Sequence, residues 1–336
     1  MSTIAIVGAG VMGSAMCFPA RDRGHEIFLI GSPLDRGIID SVRASGLHPK
    51  LNATLPQGIE SFHHEAMDRA VDGADLIVFG VSSAGIGWAI DQLCENLKKP
   101  APVVLLTKGM YPEANTLTPL PDHVAREVKR RTGMVLDVAG IGGPCIAGEL
   151  ALRRHTGTVV AANNLSFAQR LCTMFETGYY HPRSSTDMIG VEACAAFKNF
   201  FAIAVGWAGS NHNTASMLFD QAIIEMLAIT RALGGRETSV WGMAGAGDLY
   251  VTSLAGRNSR LGNHLGRGLT YGEIVNGPMQ GETIEGADLG IAAAGTLRAM
   301  MKEGKLSTST LPLTRALLAA LIENKPLDLP WVDFHR

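Results

Sequence analysis

The chain of 336 residues is 46% hydrophobic and 18% charged, and it contains 39 glycines. At about 100–200 residues per domain, this length indicates two domains, and the composition excludes a disordered chain. A formal net charge of −2 gives no electrostatic drive towards nucleic acid or an anionic membrane. We therefore expect neither of these as a partner.

The cysteines and histidines suggest neither disulfides nor a metal centre. The five cysteines are an odd number without a C-x-x-C pair, which favours a reduced, cytosolic compartment. His63, His64 and Glu65 are sequence neighbours that diverge on a helix, so we interpret them as surface residues and predict no metal site. Residues 4–7 read as a first strand rather than a signal peptide, and no transmembrane helix is expected.

The first half of the chain alternates short β-rich runs with helical stretches, a pattern typical of a doubly wound parallel sheet. The runs 76–79 and 103–106 are apolar on consecutive residues, as in strands covered on both faces. Strands are predicted at residues 3–7, 26–30, 76–80, 103–107, 135–139 and 157–162. Helices are predicted at 13–23, 86–97 and 120–131.

The second half is dominated by helical periodicity. Helices are predicted at residues 191–208, 215–233 and 313–324, and loops at 211–214, 255–263 and 277–283. We therefore predict an α/β fold with a Rossmann-type, dinucleotide-binding domain over residues 1–188. An all-α domain that binds substrate and carries catalytic residues should follow over residues 189–336.

The sharpest motif is a G-x-G-x-x-G sequence that follows the first predicted strand and opens a helix. In this context Gly8 permits the tight turn, Gly10 lets the backbone approach a pyrophosphate, and Gly13 lets helix and strand pack closely. Val11 and Met12 complete the loop, whose helix N-terminus favours phosphate charge. The motif predicts a dinucleotide site.

The tip of the second strand leaves the choice between NAD and NADP open. An acid at this tip selects the NAD ribose, whereas a nearby arginine accommodates the NADP phosphate. The tip holds Gly31 and Ser32, and Asp35 and Arg36 arrive later in the loop. Asp35 and Arg36 are explained equally well as ordinary loop charges that have no role in the choice of cofactor.

Two further loops follow predicted strands. Ser82 lies in Gly80-Val81-Ser82-Ser83-Ala84, which nearly matches the nucleophile elbow of a serine hydrolase but better fits a serine-rich loop over the cofactor. Lys108 ends another strand, where ligands of open α/β sheets bind.

Lys198 interrupts a strongly apolar helical stretch. Either the side chain reaches solvent, or it is held in a cleft where desolvation and a neighbouring cation lower its pKa enough for acid–base chemistry. Downstream, glycines flank Asp248, and Arg257 with Asn258 offers donors suited to a phosphate.

Taken in order, these motifs resemble the NAD(P)-dependent glycerol-3-phosphate dehydrogenase family. The resemblance spans nearly the whole chain and is carried by residues 8–13, 107–109, 142–149, 196–199, 242–249, 256–258 and 285–286.

The resemblance implies a role for each matching residue. Lys198 matches the catalytic lysine, Lys108 a lysine that reaches cofactor and substrate, and Asp248 an aspartate that orients the catalytic lysine. Further residues match the substrate site (Gly143, Cys145, Arg257 and Asn258) and the cofactor site (Ala147, Arg257 and Glu285). The family also implies a cytosolic homodimer that uses NAD or NADP on a small polyol phosphate.

The chain departs from the family pattern at several positions. Cys145 stands where Ser or Thr is usual, Gly256 replaces a common Ser, and Gln221 stands where bacterial enzymes often carry Arg. Met12 replaces an aromatic residue, and residues 46–51 lack the usual Asn. These changes leave a different polyol phosphate open as substrate. The expected reaction is hydride transfer between dihydroxyacetone phosphate and sn-glycerol 3-phosphate; a non-catalytic dinucleotide sensor and a serine hydrolase are the alternatives.

Overall fold

A computed structural model describes residues 1–334 of the chain. The chain forms two compact units. Unit 1 comprises Met1–Lys108 and Leu120–Met188, and unit 2 comprises Gly109–Pro119 and the chain from Ile189 onwards.

Unit 1 is built on an eight-stranded sheet. Its strands in chain order are β1 (Thr3–Val7), β2 (Glu26–Ile30), β5 (Ile59–Phe62), β6 (Leu76–Phe79), β7 (Val103–Leu105), β10 (Val138–Gly142), β11 (Thr156–Ala162) and β12 (Tyr180–Ser185). Across the sheet they lie in the order β12-β11-β10-β7-β6-β1-β2-β5. A two-residue hairpin, β3 (Leu47–His48) with β4 (Ala53–Thr54), lies outside this sheet. The predicted α/β fold class is confirmed.

Helices cover both faces of the sheet. Successive residues of one strand point to opposite faces, so each strand contributes side chains to two hydrophobic cores. Ile4 and Ile6 of β1 belong to one buried cluster, and Ala5 and Val7 belong to the other. The helices of unit 1 are α1 (Val11–Ala15), α2 (Cys17–Asp22), α3 (Arg36–Ser45), α4 (Met67–Val71), α5 (Ile86–Asn96), α6 (Leu120–Thr132), α7 (Ala147–Ala151) and α8 (Leu165–Phe175).

One strand pair departs from the predicted parallel order. β10 and β11 are antiparallel, with Ala139 opposite Ala162, while the other neighbours in the sheet are parallel. The helix between them, α7, has only five residues and is about 7.5 Å long, too short to return the chain past a strand of about 16 Å. The chain therefore enters β11 from the edge at which β10 ends.

Up to residue 334, unit 2 is helical apart from one hairpin. Its helices are α9 (Met188–Trp207), α10 (His212–Ala232), α11 (Glu237–Trp241), α12 (Asp248–Leu254), α13 (Arg257–Gly266), α14 (Tyr271–Val275), α15 (Glu285–Lys302) and α16 (Pro312–Ile322). α9 is long and apolar enough to cross a membrane, but 94% of its apolar window is buried within the protein, as in a core helix.

Several local expectations are wrong. Residues 212–214, expected as part of a loop, form the first turn of α10. Residues 109–119, assigned to the first domain, form the hairpin β8 (Met110–Pro112) with β9 (Leu117–Pro119) in unit 2, where Thr296 of α15 donates to the carbonyl of Glu113. Residues 255–263, expected as a loop, lie mostly in α13. Gly256 does form a turn before this helix, with φ +107°, but Gly262 lies inside the helix and allows close packing against its neighbour.

Candidate active site

The glycine-rich loop of unit 1 has the geometry that a dinucleotide needs. Gly8 takes φ +105° directly after β1, and a Cβ on Gly13 would lie 2.2 Å from the Gly8 carbonyl oxygen. A Cβ on Gly10 would meet nothing closer than 3.8 Å, so that face of the loop is open. No side chain among the described residues caps α1, whose first N–H groups follow Gly10. These residues fit a pyrophosphate.

The Ala9 residue inside this loop is fixed from both sides. Its N–H donates to Asp35 Oδ2 (3.2 Å), and its carbonyl oxygen accepts from His48 Nε2 (2.9 Å). The Leu51 N–H donates to His48 Nδ1 (2.9 Å), which assigns the imidazole proton to Nε2. Two buried side chains thus preorganise the phosphate-binding loop.

The predicted lysine of unit 1 lies at the carboxyl edge of the sheet. Lys108 Nζ donates to the carbonyl of Gly143 (3.1 Å), a residue with φ +110° just after β10. Met12 and Cys145 join these two residues around a small cavity of about 20 Å³. Val11, Ser82 and Ala147 follow β1, β6 and β10 at this same edge.

In unit 2, Lys198 is buried and paired. Its ammonium donates to Asp248 Oδ1 (3.1 Å) and to Thr252 Oγ1 (2.8 Å), and the residues Lys198 and Asp248 are 6% and 2% exposed. A buried charge is tolerated only when it is paired with an opposite charge and hydrogen-bonded. Asp248 supplies the opposite charge, and both Asp248 and Thr252 accept hydrogen bonds from the lysine. The alternative in which Lys198 reaches bulk solvent is therefore wrong.

A tight bend delivers Asp248 to this pair. Residues Met243–Gly247 form one π-helical turn, which leads directly into α12 at Asp248. A Cβ on Gly245 would lie 2.2 Å from the carbonyl oxygen of Val240, so only glycine allows this approach. Such π-helical turns are frequent at functional sites.

A second network adjoins the pair through the neighbouring residue of α9. Asn199 donates to Glu285 Oε2 (3.2 Å) and accepts from Asn258 Nδ2 (3.0 Å), while the Gly286 N–H donates to Asn258 Oδ1 (2.9 Å). Arg257 is half-exposed, with its guanidinium 3.9 Å from the Glu285 carboxylate. Unit 2 therefore assembles Asn258, Glu285 and Arg257, as the motif order predicted, while leaving the arginine accessible to a ligand.

Family models match both parts of the chain. The model of the NAD-dependent glycerol-3-phosphate dehydrogenase N-terminus matches residues 3–168, and that of the C-terminus matches residues 187–329. The chain belongs to this family.

Individual proteins agree with the assignment. The chain is 33% identical over 283 residues to the NADP(+)-dependent glycerol-3-phosphate dehydrogenase of Archaeoglobus fulgidus, covering 81% of this chain and 82% of that one. It is 29% identical to glycerol-3-phosphate dehydrogenase [NAD(P)+] of Bacillus pumilus, covering 98% and 92%. The solved glycerol-3-phosphate dehydrogenase of Coxiella burnetii aligns with a TM-score of 0.81 at 26% identity, covering 97% and 96%.

Family membership confirms several predictions at once. The protein is an NAD(P)-dependent dehydrogenase that acts on a CH–OH group, and its cofactor is NAD or NADP. The serine hydrolase built on Ser82 and the non-catalytic sensor have no support from these matches.

Three residues of the site were not predicted from the sequence. Thr252 lies one helical turn after Asp248 on α12, so both side chains share one face of that helix. A predicted helix beginning at Asp248 would have indicated Thr252 by this spacing. Asn199 and His48 act through other residues, and a contact across about 40 residues, such as that from His48 to Ala9, leaves no local signal.

Proposed function

We propose that this dehydrogenase interconverts dihydroxyacetone phosphate and sn-glycerol 3-phosphate, with Lys198 as the general acid and base. The family, and relatives named glycerol-3-phosphate dehydrogenase, support the choice of substrate. The observation that carries the lysine's role is its burial beside Asp248 and Thr252, which fixes a proton-bearing group within the helical unit.

The cofactor, when bound, supplies the hydride that reduces C2 of the keto substrate. Lys198 Nζ donates a proton to the C2 oxygen as negative charge develops there, and it takes that proton back in the oxidative direction. Asp248 and Thr252 hold the ammonium in one orientation, so that little reorganisation is needed at the moment of transfer.

The remaining site residues bind and orient. Arg257 is exposed enough to form a bidentate pair with the substrate phosphate. Asn258 joins the start of α13, on which the arginine lies, to Asn199 of α9 and Gly286 of α15. Lys108 and the backbone at Gly143 are placed to contact ligand at the carboxyl edge of unit 1. Phosphate binding away from the reacting carbon orients the carbonyl.

The decisive experiment compares Lys198→Ala with the parent enzyme. General acid–base catalysis predicts that kcat falls by about 10²–10⁴-fold. The Kd for NADPH, measured by fluorescence titration, should remain within about twofold, because unit 1 carries the dinucleotide motif. Near-normal turnover in Lys198→Ala would exclude the proposed role.

Substrate identity is tested separately with a panel of polyol phosphates and their keto forms. Arg257→Ala should chiefly raise KM for the phosphorylated substrate while kcat changes less. Cys145 replaces the usual hydroxyl residue, so a larger polyol phosphate belongs in the panel. Equal activity of the parent on unphosphorylated glycerol would contradict a phosphate-binding role for Arg257.

We also propose that the protein acts as a homodimer in the cytosol. The family resemblance alone supports the dimer, and the five cysteines without a C-x-x-C pair support the reducing compartment. Size-exclusion chromatography with light-scattering detection should give twice the chain mass of 35.6 kDa. A mass of 35.6 kDa at micromolar concentration would contradict the dimer.

A further inference from the structure

The tip of β2 decides which dinucleotide a Rossmann-type domain prefers, because the adenosine ribose lies there. In this chain the tip is Gly31-Ser32, and the Gly31 N–H donates to the carbonyl of Phe62 at the end of the adjacent strand β5 (2.9 Å). Discrimination in favour of NAD requires a carboxylate that faces the ribose hydroxyls at this point.

The strand tip has no room for such a carboxylate. A Cβ at position 31 would lie 2.7 Å from Ile39 Cγ1 and 3.3 Å from Asp35 Cβ. Ile39 is fully buried and branched at Cβ, so it cannot turn aside without disturbing the core. The packing of α3 against β2 therefore excludes an acidic side chain at the first position after the strand.

The nearest carboxylate, that of Asp35, is turned inwards. Its Oδ2 accepts from the Ser32 N–H (2.9 Å), from Ser32 Oγ (2.7 Å) and from the Ala9 N–H (3.2 Å). Asp35 is only 8% exposed. The carboxylate closes a capping box and anchors the glycine loop, so its charge is already satisfied by the protein.

Arg36, the next residue, points its charge outwards. It begins α3, its side chain is 56% exposed, and its guanidinium pairs with Glu65, which is 53% exposed. An exposed ion pair of this kind contributes little, so a phosphate dianion can displace the glutamate from the arginine. The Arg36 guanidinium is therefore accessible beside the ribose position, whereas the Asp35 carboxylate, which is nearer to that position, is buried.

We propose that this chain prefers NADP(H) to NAD(H), and that Arg36 binds the adenosine 2′-phosphate. The inference rests on the dinucleotide site of the proposed function but not on its substrate. Ser32 contributes by holding Asp35 away from the ribose, and Glu65 keeps Arg36 oriented when no phosphate is bound.

The test measures fragment binding by calorimetry, without turnover. Adenosine 2′,5′-bisphosphate should bind the parent at least about tenfold more tightly than adenosine 5′-phosphate, as a charge-assisted contact predicts. Arg36→Ala should reduce this ratio to about threefold or less, mainly by weakening the bisphosphate. Glu65→Gln should preserve or increase the ratio, because it removes the competing carboxylate.

Lys98→Ala is the matched control. Lys98 is likewise an exposed cation of unit 1, and its ammonium pairs with Asp72 (2.9 Å). Both residues precede strands, so they lie at the amino ends of the strands, opposite the carboxyl ends where the cofactor loops lie. In Lys98→Ala, the ratio of the affinities for the two fragments should equal that of the parent. Equal binding of the two fragments by the parent, or an unchanged ratio in Arg36→Ala, would overturn the proposal. A protein that binds the bisphosphate but reduces no polyol phosphate would overturn only the proposed function.

Discussion

Lys198 Nζ and Asp248 Oδ1 lie 3.1 Å apart in the interior of unit 2, and together with Thr252 they form one hydrogen-bonded group. Removing one partner of a buried ion pair leaves an uncompensated charge. We therefore expect Asp248→Asn to lower the free energy of unfolding of unit 2 by about 3 kcal/mol. Denaturant unfolding followed by tryptophan fluorescence reports mainly on this unit, which holds three of the four tryptophans (Trp207, Trp241 and Trp331). Replacing Trp88 of unit 1 with Phe in both proteins restricts the signal to unit 2.

A double variant separates stability from chemistry. Lys198→Met with Asp248→Asn removes both charges at similar volume, so stability should recover towards that of the parent. Turnover should stay as low as in Lys198→Ala, because no group remains to move the proton. If the double variant regained substantial turnover, the buried pair would be structural only.

The sequence predicted most strands that are buried on both faces and missed those at the edges, but it placed β10 at residues 135–139, three residues before its observed range of Val138–Gly142. β1 and β2 were predicted with their observed bounds, because consecutive apolar residues identify strands covered by helices on each side. β5 and β12 lie at the two edges of the sheet, and β12 contains Pro182 and a polar end, so neither has that pattern.

The site was predicted where motifs are local and missed where packing builds it. The glycine loop, Lys108 and Lys198 follow from short sequence patterns. By contrast, α13 looked like a loop because of its glycines and asparagines. Its glycines instead allow close contact with α9, as at Gly262, where a Cβ would lie 1.9 Å from the Ile203 carbonyl oxygen.

This contact makes a matched pair of glycine substitutions informative. Gly262→Ala forces α13 away from α9, and we expect it to cost at least about 3 kcal/mol of stability and to weaken substrate binding. Gly295→Ala, in the middle of α15, meets nothing within 4 Å and should stabilise by about 0.5–1 kcal/mol. Thermal unfolding of both variants checks the prediction; similar effects would contradict the close contact.

The bond from His48 to Ala9 predicts an effect on cofactor binding from a residue outside the glycine motif. His48→Ala leaves the Ala9 carbonyl and the Leu51 N–H without their partner in a buried region. We expect a stability loss of about 2–3 kcal/mol and a rise of several-fold in Kd for NADPH. His48→Gln, which can still donate to Ala9, should recover part of the affinity. Unchanged Kd in His48→Ala would show that the loop keeps its conformation unaided.

Glu225 provides a prediction about pH. Its carboxylate, fully buried in α10, accepts from the Leu313 and Thr314 N–H groups (2.6 Å each) and from Gln221 Nε2 (2.8 Å), and so caps the N-terminus of α16. Burial raises the pKa of Glu225 from 4.5 to about 6, despite these hydrogen bonds. Its side-chain neighbour Gln221 is uncharged, so no cation from that position offsets the cost of burial.

A raised pKa means that the folded protein binds this proton more tightly than the unfolded chain does. The contribution of Glu225 to stability is therefore most favourable below about pH 4.5 and declines as pH rises through about 6, by about 2 kcal/mol in total. Glu225→Gln removes the titration while keeping an oxygen acceptor for α16. The difference in unfolding free energy, parent minus variant, should thus fall between pH 4.5 and 6.5. A flat difference for Glu225→Gln would contradict the raised pKa of this carboxylate.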